Sequence, residues 1–321
     1  MNILISSAGR RVSLIRAFQK ELKISGLKGK VFTTDLNPAL SAACQISDKA
    51  FKVRKISMEG SVNELLNICL ENMVSLVVPT IDTELKILAE NKELFREKGI
   101  EILVSDLDFV NSCRDKRKIH DFFDSLAITR ALEFSKNDLR FPVFVKPYDG
   151  SRSQGVFLFE NISEIPHEVF QNPKNMYLQY FNNKDYDEFT VDMYFNRKAK
   201  LICSVPRERI FVRDGEVNKG CTRKNEIVNY LKKKFDGISG LRGCITLQIF
   251  KHKTEDKYCA IEINPRFGGG FPLSYKAKAN FPKWIIHEYL LGEQIDEYFD
   301  EWEDNLLMLR YDDEVLVHGY E

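Results

Sequence analysis

The chain has 321 residues, 44% of them hydrophobic and 29% charged, which is typical of a folded protein with room for more than one domain. The 47 basic and 47 acidic residues balance, so charge gives no argument for a nucleic-acid or membrane partner. The seven cysteines are scattered without a CxxC pair, which disfavours a disulfide framework or a zinc site. Neither a signal-peptide pattern nor a long apolar run is visible, so the cytoplasm is the expected compartment.

The first third of the chain alternates strand and helix patterns. Short apolar stretches predict strands at 2–6, 30–34, 76–78 and 100–104. Helical spacing of apolar residues lies between them, at 12–22, 62–71 and 84–97. Strands that alternate with helices indicate parallel βαβ units. Residues 1–107 are therefore predicted to form an open, Rossmann-like α/β domain.

The pattern changes after Ser105. A charged helix is predicted at 111–126, followed by a hairpin whose two strands flank a glycine-rich turn at 150–155. Further strands are predicted at 177–181, 189–195, 201–205, 244–250 and 258–263. A mixed, largely antiparallel sheet with helices fits this region. The acidic stretch after Gly292 is predicted to be the solvated face of a helix.

The turn after the first strand, Ser7-Ala8-Gly9-Arg10-Arg11, is similar to a dinucleotide-binding turn, and Asp35 follows the second strand. The turn contains one glycine, however, and lacks the GxGxxG spacing that lets backbone approach a pyrophosphate closely. Binding of NAD at this turn is therefore the weaker alternative.

Two adjoining segments point to phosphate binding. Lys146 closes the apolar strand Phe144-Val145-Lys146-Pro147, and a lysine is costly to bury there without an anion beside it. The loop that follows, from Asp149 to Val156, places two glycines around small hydroxyl residues. Such a loop can lay backbone N–H groups over phosphates. A snorkelling lysine beside an ordinary turn is the structural alternative.

A third segment, residues 258–266, points to a metal ion. Strand alternation puts Glu262 and Asn264 on one face, and Gln248 in the preceding strand offers a third oxygen. Carboxylate and amide oxygens, completed by phosphate and water, suit Mg²⁺. Arg266 follows with a planar fork that can hold a carboxylate or phosphate, and three glycines at 268–270 permit close approach of a ligand.

Together these segments resemble the ATP-grasp superfamily, and above all single-unit proteins similar to the carbamoyl-phosphate synthase large subunit. The resemblance covers nearly the whole chain. It implies a pre-ATP-grasp Rossmann-like domain at 1–107, including residues 78–85, followed by an α+β ATP-grasp domain at 108–321. Within the latter it implies a small subdomain at 112–180, a large subdomain at 181–292 and a C-terminal tail at 293–321.

The resemblance also implies a role for individual residues. The implied ATP contacts are Lys116, Lys146, Gly150, Ser151, Ser153, Gly155, Gln179, Tyr180, Phe181 and Glu188. Of these, residues 179–181 stand at the adenine hinge and Glu188 at the ribose. The implied catalytic residues are Lys146, Arg207 and Arg266. The implied ligands of Mg²⁺, or of Mn²⁺ in its place, are Gln248, Glu262 and Asn264.

The function implied is an ADP-forming ligase that uses ATP to activate a carboxylate as an acyl phosphate, which an amine or, less favoured, a thiol attacks. The expected partners are small molecules, with a homodimer as an allowed state. The acid pocket is expected near Arg10, Asp35 and Asp82, and the 150–156 loop is expected to close over the intermediate. A carbamoyl-phosphate synthase-like subunit, disfavoured by the single unit, and a nucleotide-binding regulatory protein remain alternatives.

Overall fold

The N-terminal region forms a five-stranded parallel sheet in a computed structural model that describes residues 1–150, 155–213 and 215–320. Its strands, in spatial order β3-β2-β1-β4-β5, are β1 (Asn2–Ser6), β2 (Val31–Asp35), β3 (Lys49–Lys52), β4 (Val74–Pro79) and β5 (Glu101–Ile102). The accompanying helices are α1 (Val12–Ile24), α2 (Ala42–Gln45), α3 (Ser61–Glu71), α4 (Asp82–Glu90) and α5 (Lys92–Arg96). The predicted parallel α/β architecture is confirmed.

Two details of this domain differ from the prediction. Strand β3 was not predicted, because it lies at the sheet edge and its side chains are exposed or half-buried rather than alternating. The helix predicted at 84–97 is two helices that meet at Asn91. There the side-chain Nδ2 of Asn91 donates to the carbonyl of Ile87 at 2.8 Å, in competition with the helical backbone.

The helix predicted at 111–126 is also two helices, α6 (Leu107–Arg114) and α7 (Lys116–Ser125). They separate at Asp115, whose backbone is extended and whose Oδ1 accepts the N–H of Arg117 at 2.9 Å. This side chain caps α7, as an aspartate at that position commonly does. Lys116 is consequently the first residue of α7, and its side chain is buried.

The rest of the chain builds two sheets in which every strand pair of the described residues is antiparallel. The smaller sheet, in the order β7-β6-β8, contains β6 (Val143–Pro147), β7 (Phe157–Phe159) and β8 (Asn175–Gln179). The larger sheet, in the order β13-β12-β9-β10-β11-β14, contains β9 (Tyr186–Phe195), β10 (Leu201–Arg213), β11 (Glu216–Thr222), β12 (Gly243–His252), β13 (Tyr258–Asn264) and β14 (Leu307–Leu309). The remaining helices are α8 (His167–Gln171), α9 (Ile227–Lys234), α10 (Phe271–Lys276) and α11 (Phe281–Tyr289).

The segment after Gly292 contains no helix within the part that the structure describes, so the predicted solvated helix face is wrong. The segment instead crosses the large sheet and adds β14 to its edge, where Lys219 and Leu309 are in register. The C-terminal residues are therefore part of the large sheet.

The N-terminal domain and the large sheet share one apolar core. Helix α1 packs against α11, and the ring of Phe18 meets that of Phe267 edge-on, with 6.1 Å between centroids. The hydroxyl of Tyr275 in α10 also donates a hydrogen bond to Glu21 of α1 at 2.7 Å. This packing holds the N-terminal turn against the end of β13, where the candidate site lies. Among the helices described, none combines the length and apolarity that crossing a bilayer requires.

Candidate active site

A cavity of about 450 Å³ opens between the N-terminal domain and the large sheet. It is lined by predicted site residues from five separate segments, namely Lys116, Gly150, Arg207, Gln248, Glu262, Asn264 and Arg266. The N-terminal domain contributes Arg11 and Asp82 to the facing wall. The fold therefore collects most of the charged residues that the sequence singled out into one cleft.

Lys146 stands within β6, opposite Met176 of β8, and only 6% of it is exposed. Its ammonium group forms no hydrogen bond or ion pair with any residue that the structure describes. Burial lowers the pKa of Lys146, the nearby Glu262 carboxylate opposes that change, and the charge of Lys116 adds to it. No described carboxylate forms an ion pair with this ammonium, and a buried ammonium is costly without an anion directly beside it.

Lys116 joins three parts of the site. Its backbone N–H donates to the carbonyl of Tyr148 at 3.1 Å, and its Nζ donates to the carbonyl of Gly150 at 2.6 Å. The same Nζ lies 3.7 Å from Oε2 of Glu262. The start of α7 is thereby held to the segment after β6 and to β13.

Glu262, Gln248 and Asn264 meet as predicted, because β12 and β13 pair with Gln248 directly opposite Glu262. Oε1 of Glu262 accepts from Nε2 of Gln248 at 3.0 Å and from Nδ2 of Asn264 at 3.1 Å. Burial alone would raise the pKa of Glu262, but the charges of Lys146, Lys116 and Arg266 and the hydrogen bond from Asn264 together outweigh it, and the pKa lies below its usual value. The carboxylate is therefore kept charged.

This trio fits Mg²⁺ only in part. No group of three or more His, Cys, Asp or Glu side chains within the described ranges is arranged to hold a metal. The trio offers one carboxylate and two amides. That set suits an ion which takes few protein ligands and completes its shell with phosphate oxygens and water.

Arg207 is the largest fully buried side chain of the described chain, and it pairs with Asp192. Its Nη1 is buried without a hydrogen-bond partner. Gly270 makes room for it, since a Cβ at Gly270 would lie 2.1 Å from that nitrogen. Arg207 therefore presents one free, positively charged donor at the cavity wall.

Arg266 connects the two domains. Its Nη2 donates to Oδ2 of Asp82 at 2.6 Å and to Oδ1 of Asn264 at 3.2 Å, while its Nε is buried without a partner. The arginine predicted to hold a substrate carboxylate thus already has a protein carboxylate beside it. Its buried Nε is the donor still unused.

The predicted adenine hinge lies outside this cavity. Gln179 ends β8, and Phe181 is 7% exposed and stacks on Phe250 with 5.0 Å between ring centroids. The backbone groups of Tyr180 and Phe181 form no hydrogen bond with described residues, so they are free to read a base.

Only part of the predicted phosphate loop is described. Gly150 lines the cavity, and Gly155 adopts a left-handed φ of +68°. The predicted contacts Ser151 and Ser153 lie outside the described residues.

Glu188, the predicted ribose acid, begins a row of polar residues on one face of β9 that continues with Thr190 and Asp192. Its Oε1 lies 2.9 Å from Nε of Arg209. Burial raises the pKa of Glu188, and Arg209 offsets this only partly. Asp192 and Arg209 were not predicted as site residues, although the alternation along β9 could have indicated Asp192.

The turn considered as an alternative NAD site already forms hydrogen bonds with other residues of the chain. The N–H of Gly9 donates to Oδ2 of Asp35 at 3.1 Å, and Oγ of Ser41 donates to the carbonyl of Gly9 at 2.9 Å. Of the residues expected near an acid pocket, Asp82 lines the cavity and Asp35 does not, while Arg10 lines an adjoining cavity.

Comparison with known families gives two matches. Residues 3–103 match the family described as PylC-like, N-terminal domain. Residues 172–310 match the family described as ATP-grasp in the biosynthetic pathway with Ter operon. No curated protein sequence matches the chain.

Solved structures match the fold over nearly the whole chain. The biotin carboxylase domain of the Hydrogenobacter thermophilus 2-oxoglutarate carboxylase superposes with a TM-score of 0.72 at 13% identity, covering 95% of this chain and 73% of that one. N5-carboxyaminoimidazole synthetase from Staphylococcus aureus gives 0.71 at 15% identity, covering 92% and 79%. The L-amino acid ligase from Bacillus licheniformis gives 0.67 at 16% identity, covering 90% and 74%.

Proposed function

We propose that the chain is an ATP- and Mg²⁺-dependent ligase that joins a carboxylic acid to an amine, because residues 172–310 match an ATP-grasp family model. The ATP γ-phosphoryl group passes to the carboxylate, and the amine displaces phosphate from the acyl phosphate. Each product formed consumes one ATP and releases one ADP and one phosphate. The biotin carboxylase domain from Hydrogenobacter thermophilus holds Mg-ADP, and another structural neighbour is an amino acid ligase, which supports this choice.

The observation that carries the proposal is the unpaired charge around Lys146. This ammonium is buried without a partner among the described residues, and Nη1 of Arg207 is buried without one as well. Lys146 lies within electrostatic range of Lys116 and Glu262, and Arg207 lines the same cavity as those two residues. A polyphosphate is the ligand whose charge would satisfy them, as phosphate groups do in other phosphoryl-transfer sites.

The residues then divide by charge. Lys116, Lys146 and Arg207 would hold phosphate oxygens and offset their charge while the phosphoryl group moves. Glu262, Gln248 and Asn264 would hold Mg²⁺, or Mn²⁺ in its place, and the ion supplies charge neutralisation at the phosphates when bound. The free main chain at Tyr180 and Phe181 would read adenine, and Glu188 the ribose. Arg266 would face the acid through its unused Nε.

In this arrangement the nucleotide lies between the small subdomain at 112–180 and the large subdomain at 181–292. The acid enters from the side of the N-terminal domain at 1–107. Small molecules are the proposed partners. A cytoplasmic location and a homodimer are also proposed.

Thermal melting tests the nucleotide half of the proposal. Mg-ADP at about 100 times its dissociation constant should stabilise the fold by about 2.7 kcal/mol, which is several degrees for a chain of this size. NAD serves as the control, because Gly9 in the turn that was considered for NAD binding already donates its N–H to Asp35. A larger shift with NAD than with Mg-ADP would contradict the proposal.

ADP release tests the chemical half. Pools of organic acids, each with and without a pool of amino acids as amines, should show turnover that depends on one acid and yields one ADP per product. Turnover with bicarbonate and ammonia alone, at two ADP per product, would instead support the carbamoyl-phosphate synthase-like alternative. Tight nucleotide binding without any acid-dependent release would support the regulatory alternative.

A further inference from the structure

A second cavity of about 450 Å³ adjoins the first and is not used by the nucleotide. It lies between the turn after β1 and the loop that joins β13 to α10. We call it the arginine chamber, because Arg10, Arg11 and Arg310 all line it. Arg11, Glu216 and Gly269 line both cavities, so the two spaces lie side by side.

The charges of the chamber do not cancel among the described residues. Three arginines face a single carboxylate, that of Glu216, which leaves a net charge of +2. Glu216 is already paired, because Nη1 of Arg310 donates to its Oε2 at 2.9 Å. Its pKa is lowered: burial would raise it, but Arg310, Arg11 and Arg10 together outweigh burial. The Glu216 carboxylate therefore already interacts with neighbouring arginines, and it is a poor site for a substrate ammonium.

Two of the arginines have no such partner. Arg10 forms no hydrogen bond or ion pair with a described residue, and Arg11 makes only a long hydrogen bond, 3.4 Å from its Nη2 to the carbonyl of Thr80. Burial, followed by the charge of Arg266, lowers the pKa of Arg11 to about 10. Arg11 thus lies within electrostatic range of two arginines, Arg266 and Arg310, and of two carboxylates, Glu216 and Asp82.

The chamber wall is held in place. Oγ of Thr80 donates to the carbonyls of Ser6 and Ser7, both at 2.9 Å, and Oγ of Ser6 donates to Glu84 at 2.6 Å. The turn that carries Arg10 and Arg11 is therefore braced by β4 and α4. Guanidinium groups on such a wall suit bidentate recognition of carboxylate or phosphate.

We propose that the acid substrate carries a second anionic group, a carboxylate or a phosphate, which binds in the arginine chamber while its reacting carboxylate lies near Arg266. This inference rests on the proposed ligase function and specifies the substrate class for it. A monocarboxylic acid with an apolar tail would leave the net charge of +2 on the described lining of the chamber unmatched. A zwitterionic acid would bring its ammonium against the net positive charge.

Equilibrium binding of matched acids tests the chamber directly. Butyrate, succinate and 3-phosphonopropionate are titrated by calorimetry into protein saturated with Mg-ADP, so that the phosphate subsites are filled beforehand. At least one of the two dianions should bind about tenfold or more tightly than butyrate. A preference for succinate identifies a dicarboxylic acid, and a preference for 3-phosphonopropionate identifies a phosphorylated one.

Three variants separate charge recognition from structural damage. Arg10→Gln should weaken binding of the preferred dianion by about tenfold, the loss expected for one charged hydrogen-bonding group. Glu216→Gln should tighten it by about threefold or more, because a negative charge leaves the chamber. Arg16→Gln, which removes an exposed arginine from α1 outside the chamber, should change nothing.

Butyrate binding as tightly as both dianions, no binding of either dianion, or equal losses in Arg10→Gln and Arg16→Gln would each overturn the chamber proposal. These outcomes are distinct from failure of the proposed function. If ADP release depends on a monocarboxylic acid and is unchanged in Arg10→Gln, the ligase stands and the chamber proposal falls. If dianions bind as expected but no acid supports ADP release, the chamber stands as a binding site and the ligase falls.

Discussion

Asp192 receives both Nε and Nη2 of Arg207, at 2.7 and 3.0 Å, and neither side chain is more than 1% exposed. Ser274 donates to the same carboxylate at 2.6 Å. The pair is therefore a fully enclosed ion pair whose geometry fixes where the remaining nitrogen of Arg207 points. Its role is to position that arginine, since Asp192 itself does not line the cavity.

Replacing Asp192 by asparagine should destabilise the fold by about 3 kcal/mol, because it leaves a buried guanidinium without its counter-charge. Ser274→Ala removes one hydrogen bond from the same carboxylate and should cost about 1 kcal/mol. Urea unfolding of both variants measures the two losses. A loss in Asp192→Asn no larger than that in Ser274→Ala would show that the ion pair does not matter for stability.

Gly270→Ala should abolish nucleotide-dependent stabilisation. The new Cβ would lie 2.1 Å from Nη1 of Arg207 and 2.6 Å from Val217, so the arginine must leave its place. Gly268→Ala is the matched control in the same turn, where the nearest atoms belong to Thr246 at 3.3 Å. Melting with and without Mg-ADP should show a much larger defect for Gly270→Ala, and equal behaviour of the two variants would contradict the close-packing argument.

Lys146→Met should stabilise the nucleotide-free protein while reducing ADP release by about 10²–10³. Methionine fills a similar space without the cost of a buried, unpaired ammonium. A wild-type melting temperature above that of the variant, measured without nucleotide near neutral pH, would contradict the burial argument.

The advantage of Lys146→Met should also shrink as pH rises. The folded-state pKa of Lys146 lies below its usual value of 10.5. At pH values between the folded-state pKa and 10.5, the unfolded wild-type chain binds more protons than the folded one. The free energy of unfolding of the wild-type protein therefore increases with pH in that window. The variant lacks this contribution. Urea unfolding of both proteins across alkaline pH measures the gap, which should remain constant only if Lys146 does not titrate differently on folding.

Glu262→Gln should raise the Mg²⁺ concentration needed for half-maximal ADP release, because the only carboxylate of the trio is lost. The fully exposed Glu255 offers a control with the same change of charge. A Mg²⁺ dependence identical in Glu262→Gln and Glu255→Gln would remove Glu262 from the metal site.

The parts of the site that could be predicted from sequence are those built locally. Glu262 and Asn264 alternate along one strand, and Gln248 meets them because β12 and β13 form a hairpin. Strand alternation and short connections are sufficient to place such residues. The same holds for Lys146, whose strand ends just before the glycine-rich turn.

The contacts that escaped prediction depend on how distant segments dock. Arg266 meets Asp82 across 184 positions of the chain, and the pair exists only because the N-terminal domain packs over the end of β13. The pairing of Arg310 with Glu216 likewise needs β14 to join the large sheet. Local patterns contain no information on either docking, and the acidic tail in fact suggested a solvated helix.

Strand β14 also has a consequence for the order in which the protein can assemble. Arg10 and Arg11 leave the ribosome well before Arg310, which also follows Lys116, Lys146 and Glu262 in the sequence. Domains generally fold in the order of synthesis, and contacts between distant segments form late. The cleft around Lys116, Lys146 and Glu262 lies within earlier sequence, so a nascent or prematurely terminated chain can hold the complete set of those residues while the chamber beside it still lacks one wall.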